Sequence, residues 1–189
     1  MRLVLTIAAL ALTVACNPDE MTDDENPEEV ITTVTLTFTP GTGSDVVASF
    51  VDLQDGNPTV DPITLSDAED YTLTVEFLNE LEDPAEDITE EIMDEDDEHQ
   101  VFFTGGAVST LVTHAYDDQD GGGLPVGLDN TITTDAVGTD TLTVTLRHLP
   151  PEGGEAVKVA GMAETVAAEG FGAIGGDTDV SVDFDLTVQ

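Results

Sequence analysis

Positive charge is what this chain has least of. Three lysines and arginines stand against 41 aspartates and glutamates in 189 residues, a formal net charge of −38. Phosphate binding needs clustered Lys and Arg, so nucleic acid is excluded as a partner. The same scarcity disfavours docking on anionic lipid through the protein surface. Tryptophan is absent and aromatic residues make up 5% of the chain, so a core must be largely aliphatic. The single cysteine, Cys16, excludes an internal disulfide. The fold must therefore rest on its apolar core or on bound ions. No apolar run reaches the roughly 20 residues of a spanning helix. Missing too are a GxSxG elbow, a glycine loop with a lysine, and HExxH. Among so many acids no carboxylate pair is singled out for glycoside hydrolysis. The expectation is a protein that is not an enzyme.

What is present begins with an address. Arg2 precedes Leu3 to Ala15, apolar except for two threonines, which reads as a signal peptide over 1–15. "LTVAC" resembles the lipobox of bacterial lipoproteins, with a small residue before the modified cysteine; Thr13 stands where that motif favours leucine. The resemblance implies cleavage before Cys16, a thioether-linked diacylglycerol and N-acylation. Two or three acyl chains hold a protein on a membrane where one binds only marginally. An ordinary signal peptide followed by a free cysteine is the alternative. Residues 16–29 carry Pro18, Pro27, many acids and no aromatic residue, and read as a disordered acidic tether. Acids soon after the lipidated cysteine resemble the export signal of Bacteroidota lipoproteins. That implies the outer membrane and surface exposure, with the periplasmic face as the other option.

From Val30 the apolar pattern takes period two, the mark of strands buried on one face. "VTLTFT" sets Val34, Leu36 and Phe38 on one side. "YTLTVEF" does so with Tyr71, Leu73, Val75 and Phe77; "TLTVTLRH" with Leu142, Val144 and Leu146; "DVSVDFDLTV" with Val180, Val182, Phe184, Leu186 and Val188. Weaker strands are expected near 45–53, 60–65, 100–104, 107–116 and 128–134. Gly105-Gly106 suits a two-residue hairpin turn, and Asp135 to Gly138 a four-residue one. One helix is expected over 84–93, capped by Asp83 with Pro84 in its first turn and Glu86 completing a capping box. A second helix over 157–169 is weakened by Gly161 inside it. About nine strands and one short helix over residues 30–189 predict an all-β, antiparallel β-sandwich of immunoglobulin-like architecture. A barrel is the alternative.

Three histidines occur: His99, His114 and His148. A turn at Gly105-Gly106 would put His99 diagonally across from His114 on one sheet face, about 7–8 Å apart at Cα. That is close enough for both rings to reach one Zn²⁺, with Glu98 and Asp117 at the same end. His148 lies past Leu146, at a distance from the pair that the sequence does not give. "DDQDGGG" sets Asp117, Asp118 and Asp120 before glycines and has part of the alternation of a Ca²⁺ loop, without the glutamate at its twelfth position. "DLQDGN", Asp52 to Asn57, is a poorer echo. Each of these features also has an ordinary structural reading: histidines hydrogen-bonded at the ends of core faces, and acidic turns stabilised for backbone reasons. The acid excess likewise suits a salty, halophilic habitat.

At "AEDITEEIMDEDDEHQVFF", "TLTVTLRHLP" and the closing "DVSVDFDLTVQ" the chain resembles small lipoproteins of marine and halophilic Bacteroidota. These are labelled "type 1 periplasmic binding fold superfamily protein". The label implies two linked α/β lobes, whereas the alternation here gives a single all-β body. The function expected is a lipid-anchored, non-catalytic binding module with an outer-membrane protein, a glycan or a metal as ligand. The alternatives are a Zn- or Ca-binding lipoprotein supporting uptake through an outer-membrane receptor, and a purely structural envelope protein.

Overall fold

The computed structural model describes residues 29–189. The expected signal peptide, Cys16 and the expected tether as far as Glu28 lie outside the described residues. The described residues form eleven strands: β1 (Thr33–Pro40), β2 (Val46–Val51), β3 (Thr59–Val60), β4 (Ile63–Leu65), β5 (Asp70–Asn79), β6 (Glu86–Asp87), β7 (His99–Thr104), β8 (Val112–Tyr116), β9 (Asp129–Thr134), β10 (Gly138–His148) and β11 (Asp177–Val188). Helices α1 (Ile88–Asp94), α2 (Gly106–Thr110) and α3 (Met162–Glu169) lie between them, with a single 3₁₀ turn at Phe171–Ala173.

The strands form two sheets. One runs β3-β2-β1-β5-β9-β8, with β6 also pairing β5; the other runs β4-β11-β10-β7. Every pairing is antiparallel except β4 with β11. The sheets do not close on each other, so the body is a β-sandwich and not a barrel. The alternation explains the core directly. Val34, Leu36, Phe38, Leu73, Phe77, Leu142, Leu146, Phe184 and Leu186 are buried between the sheets, while the intervening threonines and acids of β1, β5 and β11 face outward. Burying each such side chain contributes about 1.5–3 kcal/mol, which lets the fold stand without a disulfide.

A second, smaller core sits outside the four-stranded sheet. Phe102 alternates away from Val101 and Phe103 and packs with Leu149, Met162 and Val166. The segment from Leu149 to Gly176, which contains α3, thus covers that sheet's outer face. With both faces covered, β7 is buried from His99 to Phe103.

Four local expectations are corrected. Gly105-Gly106 does not close a hairpin: β7 pairs β10, and β8 pairs β9 in the other sheet. Ala107 and Leu111, both buried, are four residues apart, so this stretch has helical spacing and forms α2. Gly105 has φ +92, and a Cβ there would strike the Thr141 carbonyl of β10, which ties the glycine to close strand approach. Asp135 to Gly138 is likewise a crossing between sheets, with Asp135 N–H donating to the Leu111 carbonyl at 2.8 Å. α1 starts at Ile88, later than expected, because Glu86 and Asp87 pair with β5; Asp87, not Asp83, caps it by accepting from Thr89 N–H at 3.1 Å. Ile88 and Ile92 are its buried face, as the spacing predicts. Finally, the described residues form three helices where one was expected. Gly161 lies before α3, not inside it, and caps that helix in the left-handed conformation.

Candidate functional site

The register of β7 and β10 places His99 opposite His148. Their rings stack with centroids 4.7 Å apart and planes 8° from parallel. His99 is fully buried and His148 nearly so. Three further elements bring acids to this pair. Glu95 closes the C-terminus of α1. Glu29 leads into β1, and its side chain is only 7% exposed. Asp179 comes from β11 at a β-bulge: Leu146 pairs Val180 and Arg147 pairs Thr178, leaving Asp179 as the extra residue. Bulges re-aim side chains, and both carboxylate oxygens of Asp179 are buried.

The tautomer of His99 follows from its neighbours. Nδ1 lies 3.2 Å from the Glu95 main-chain carbonyl, which only accepts, so Nδ1 carries the hydrogen. In the neutral ring, Nε2 is then a bare lone pair. It faces Glu29 Oε1 at 3.3 Å without making a hydrogen bond. Burial pushes the His99 pKa down, but the Glu29 carboxylate, the Glu95 carbonyl and Asp179 outweigh it and hold the pKa above 6.5. His148 Nε2 is also buried without a hydrogen-bond partner, 3.7 Å from Glu98 Oε2. Ligating atoms of Glu29, His99 and Asp179 all lie within 4.8 Å of one another, as do those of Glu95, His99 and His148. Both groups can surround a cation.

The other residues singled out in the sequence lie elsewhere. His114 is on β8, in the opposite sheet from His99, so the hairpin diagonal does not exist. It packs on Phe103 at 4.3 Å and on Tyr116 at 4.6 Å between ring centroids. Asn130 donates its amide to the Gly127 carbonyl, which turns its Oδ1 toward His114 Nε2 at 2.9 Å. Neutral His114 therefore carries its hydrogen on Nε2, and burial lowers its pKa. The acidic loop spends its carboxylates on the chain itself. Asp117 accepts from Thr131 Oγ1 at 2.6 Å. Asp118 accepts from the N–H groups of Gly127, Leu128 and Asp129. Asp120 accepts from Gly122 and Leu124 at 2.8 Å each and pairs with Lys158 Nζ at 2.9 Å. Burial opposes the Asp120 charge, yet these donors and Lys158 hold its pKa below the ordinary value. Asp52 and Asp55 cap their own turns through Gln54 and Asn57 N–H. None of His114, Asp117, Asp118 and Asp120 joins a metal-competent group among the described residues.

Sequence reasoning missed Glu29, Glu95 and Asp179, and left His148 unplaced. The available signal was that His99 stands at the start of a weaker expected strand and His148 at the end of a strongly alternating one; their pairing is a contact between distant segments that no local pattern encodes.

Arg147 and Lys158, the lysine and arginine of the described residues, are both buried. Arg147 donates to Thr178 Oγ1 at 2.6 Å and to the carbonyls of Gly175 and Gly176. It also lies 5.6 Å over the Phe171 ring. Lys158 donates to the Asp96 carbonyl at 2.6 Å as well as pairing with Asp120. Both cations brace the 149–176 segment, and neither offers positive charge to solvent. A shallow cleft lined by Met93, Val126 and Leu128 is rimmed by Asp96, Asp118 and Asp129. Compared with known proteins, the chain matches no family model, no curated protein and no solved structure.

Proposed function

We propose that the protein is a lipid-anchored module of the cell envelope that binds a cationic ligand and catalyses no reaction on it. The observation that carries this reading is the fate of its two cations. With Arg147 and Lys158 buried as internal braces, the exterior of the described residues presents carboxylates and hydroxyls with no lysine or arginine among them. Such a field draws cations and repels anionic polymers. Half-buried Asp118 and buried Asp120 are committed to backbone N–H groups and Lys158, which suits a structural part for them and not acid–base work.

The anchor rests on Cys16 at the end of an apolar segment and agrees with the resemblance to small Bacteroidota lipoproteins. Surface exposure on the outer membrane, next to an outer-membrane partner protein, fits the acidic tether. Two measurements test the reading. Cys16→Ser is expected to move the protein from the membrane fraction to the soluble one; retention in the membrane would remove the anchor. Oligolysine is expected to bind purified protein with strong salt dependence while heparin does not. Absence of any oligolysine binding at low salt would leave a purely structural envelope role.

A further inference from the structure

We infer that His99 Nε2, Glu29 and Asp179 form a binding site for a divalent transition-metal ion of the Zn²⁺ class, with His148 stacked against it. This rests on the cation-binding reading and names its ligand class.

The geometry supplies two independent reasons. The Glu95 carbonyl fixes the hydrogen of His99 on Nδ1, and metal-bound histidines characteristically donate their other ring N–H to such a carbonyl. The freed Nε2 faces Glu29 Oε1 at 3.3 Å. That is long for a hydrogen bond, but bonds of about 2.0–2.1 Å to a tetrahedral ion put neighbouring ligands about 3.3 Å apart. Charge agrees with this geometry: Glu29 and Asp179 bring two carboxylates with buried oxygens to one imidazole, Arg147 also attracts Asp179, and a divalent ion adds positive charge between the acids.

The donor set also decides between ions. Ca²⁺ takes six to eight oxygens, whereas one or two imidazoles with carboxylates suit Zn²⁺ and its neighbours. His148 extends the set. Its buried Nε2 has no hydrogen-bond partner, and it belongs with Glu95 and His99 to the second ligand group. The lone pairs of two parallel stacked rings lie in separate planes, so His148 joins His99 Nε2 at one ion only by turning its ring. The bulge that frees Asp179 from the β10–β11 ladder is the backbone device that builds the site.

The site has a structural consequence. Glu29 stands where the expected tether meets β1, so a bound ion fastens the tether root to both sheets: Glu29 beside β1, His99 on β7, Asp179 on β11.

Calorimetric titration of the detergent-extracted, EDTA-stripped protein with ZnCl₂ tests the inference. About one ion per chain is expected. Glu29→Gln and Asp179→Asn are each expected to weaken binding by more than about ten-fold, since even the partners that orient ligands are worth about 10–100-fold. His114→Gln is expected to leave binding unchanged. Co²⁺ in the same site should give the intense visible bands of a tetrahedral ion, a readout on the native chain that does not depend on any variant folding. Hydrogen exchange of the Val30–Thr32 amides should slow when Zn²⁺ binds. Absence of Zn²⁺ binding, unchanged affinity in Glu29→Gln, or only the weak bands of octahedral Co²⁺ would each overturn it. A protein that takes no Zn²⁺ yet still binds oligolysine would lose this site and keep the broader reading; loss of both would end both.

Discussion

Replacing Lys158 with methionine tests how the 149–176 segment is held. The stem of Lys158 fits methionine closely, so the change removes charge with little change of volume. Lys158 Nζ lies 2.9 Å from Asp120 Oδ2, with both side chains at most 2% exposed. Two unit charges at that distance attract by roughly 6 kcal/mol at an effective dielectric constant of about 20. Much of this is offset by the hydration the ammonium gives up on folding, and removing one partner of a buried pair costs about 3–5 kcal/mol in practice. Asp120 keeps its two N–H donors, from Gly122 and Leu124, which favours the lower end. The Asp96 carbonyl loses its 2.6 Å donor, which opposes any further reduction. The expected loss is about 3 kcal/mol, or a fall in Tm of about 6–12 °C for a domain of this size. Urea unfolding read by far-UV circular dichroism gives the difference directly. The pair Asp120→Asn/Lys158→Met should recover part of the loss, because a neutral amide needs no counter-charge. A cost below about 1 kcal/mol for Lys158→Met, or two substitutions that add without coupling, would contradict a buried ion pair that holds the segment.

Three further outcomes follow from particular contacts. His114 has its pKa lowered from 6.5 by burial, so the unfolded chain takes up its proton first. Its contribution to stability is present above pH 6.5 and is lost as pH falls through the lowered pKa; His114→Gln should flatten the Tm profile in that acid window, and an unchanged slope would refute the assignment. Gly176 has φ +74, and a Cβ there would strike the His148 carbonyl. Gly176→Ala should therefore cost about 2 kcal/mol or more, seen as a lower urea midpoint, whereas Gly153→Ala, with nothing near its Cβ, should cost less. Phe184 is fully buried between the sheets, and Phe184→Ala should cost about 3–5 kcal/mol by the same assay.

The parts of the fold written in short-range pattern were legible. Inward residues of β1, β5, β10 and β11 follow from alternation alone, because a pleat has period two and a sandwich has one dry side. Ile88 and Ile92 follow from helical spacing in the same way. Which strand pairs with which was not legible. The chain changes sheets after β7 and again after β9, and two plausible turn sequences, Gly105-Gly106 and Asp135 to Gly138, mark crossings and not hairpins. That error carried into the site, since the proposed His99–His114 diagonal depended on the first hairpin. His99 finds His148 instead, 49 positions away. Asp179 is delivered by a bulge and Glu29 by the segment leading into β1, neither of which leaves a periodic trace. The acidic loop shows the opposite case: Asp118 and Asp120 have the spacing of ion ligands, and backbone N–H groups take the same oxygens.

We propose that the buried cluster of Glu29, His99 and Asp179, where the chain enters β1, takes a cation. Anomalous diffraction at the zinc edge, from crystals grown with ZnCl₂, tests it most directly. One strong peak is expected, within about 2.0–2.2 Å of His99 Nε2 and of a carboxylate oxygen from each of Glu29 and Asp179. Peaks confined to surface acids, with the His99 and His148 rings still stacked and Nε2 facing Glu29 as before, would contradict it.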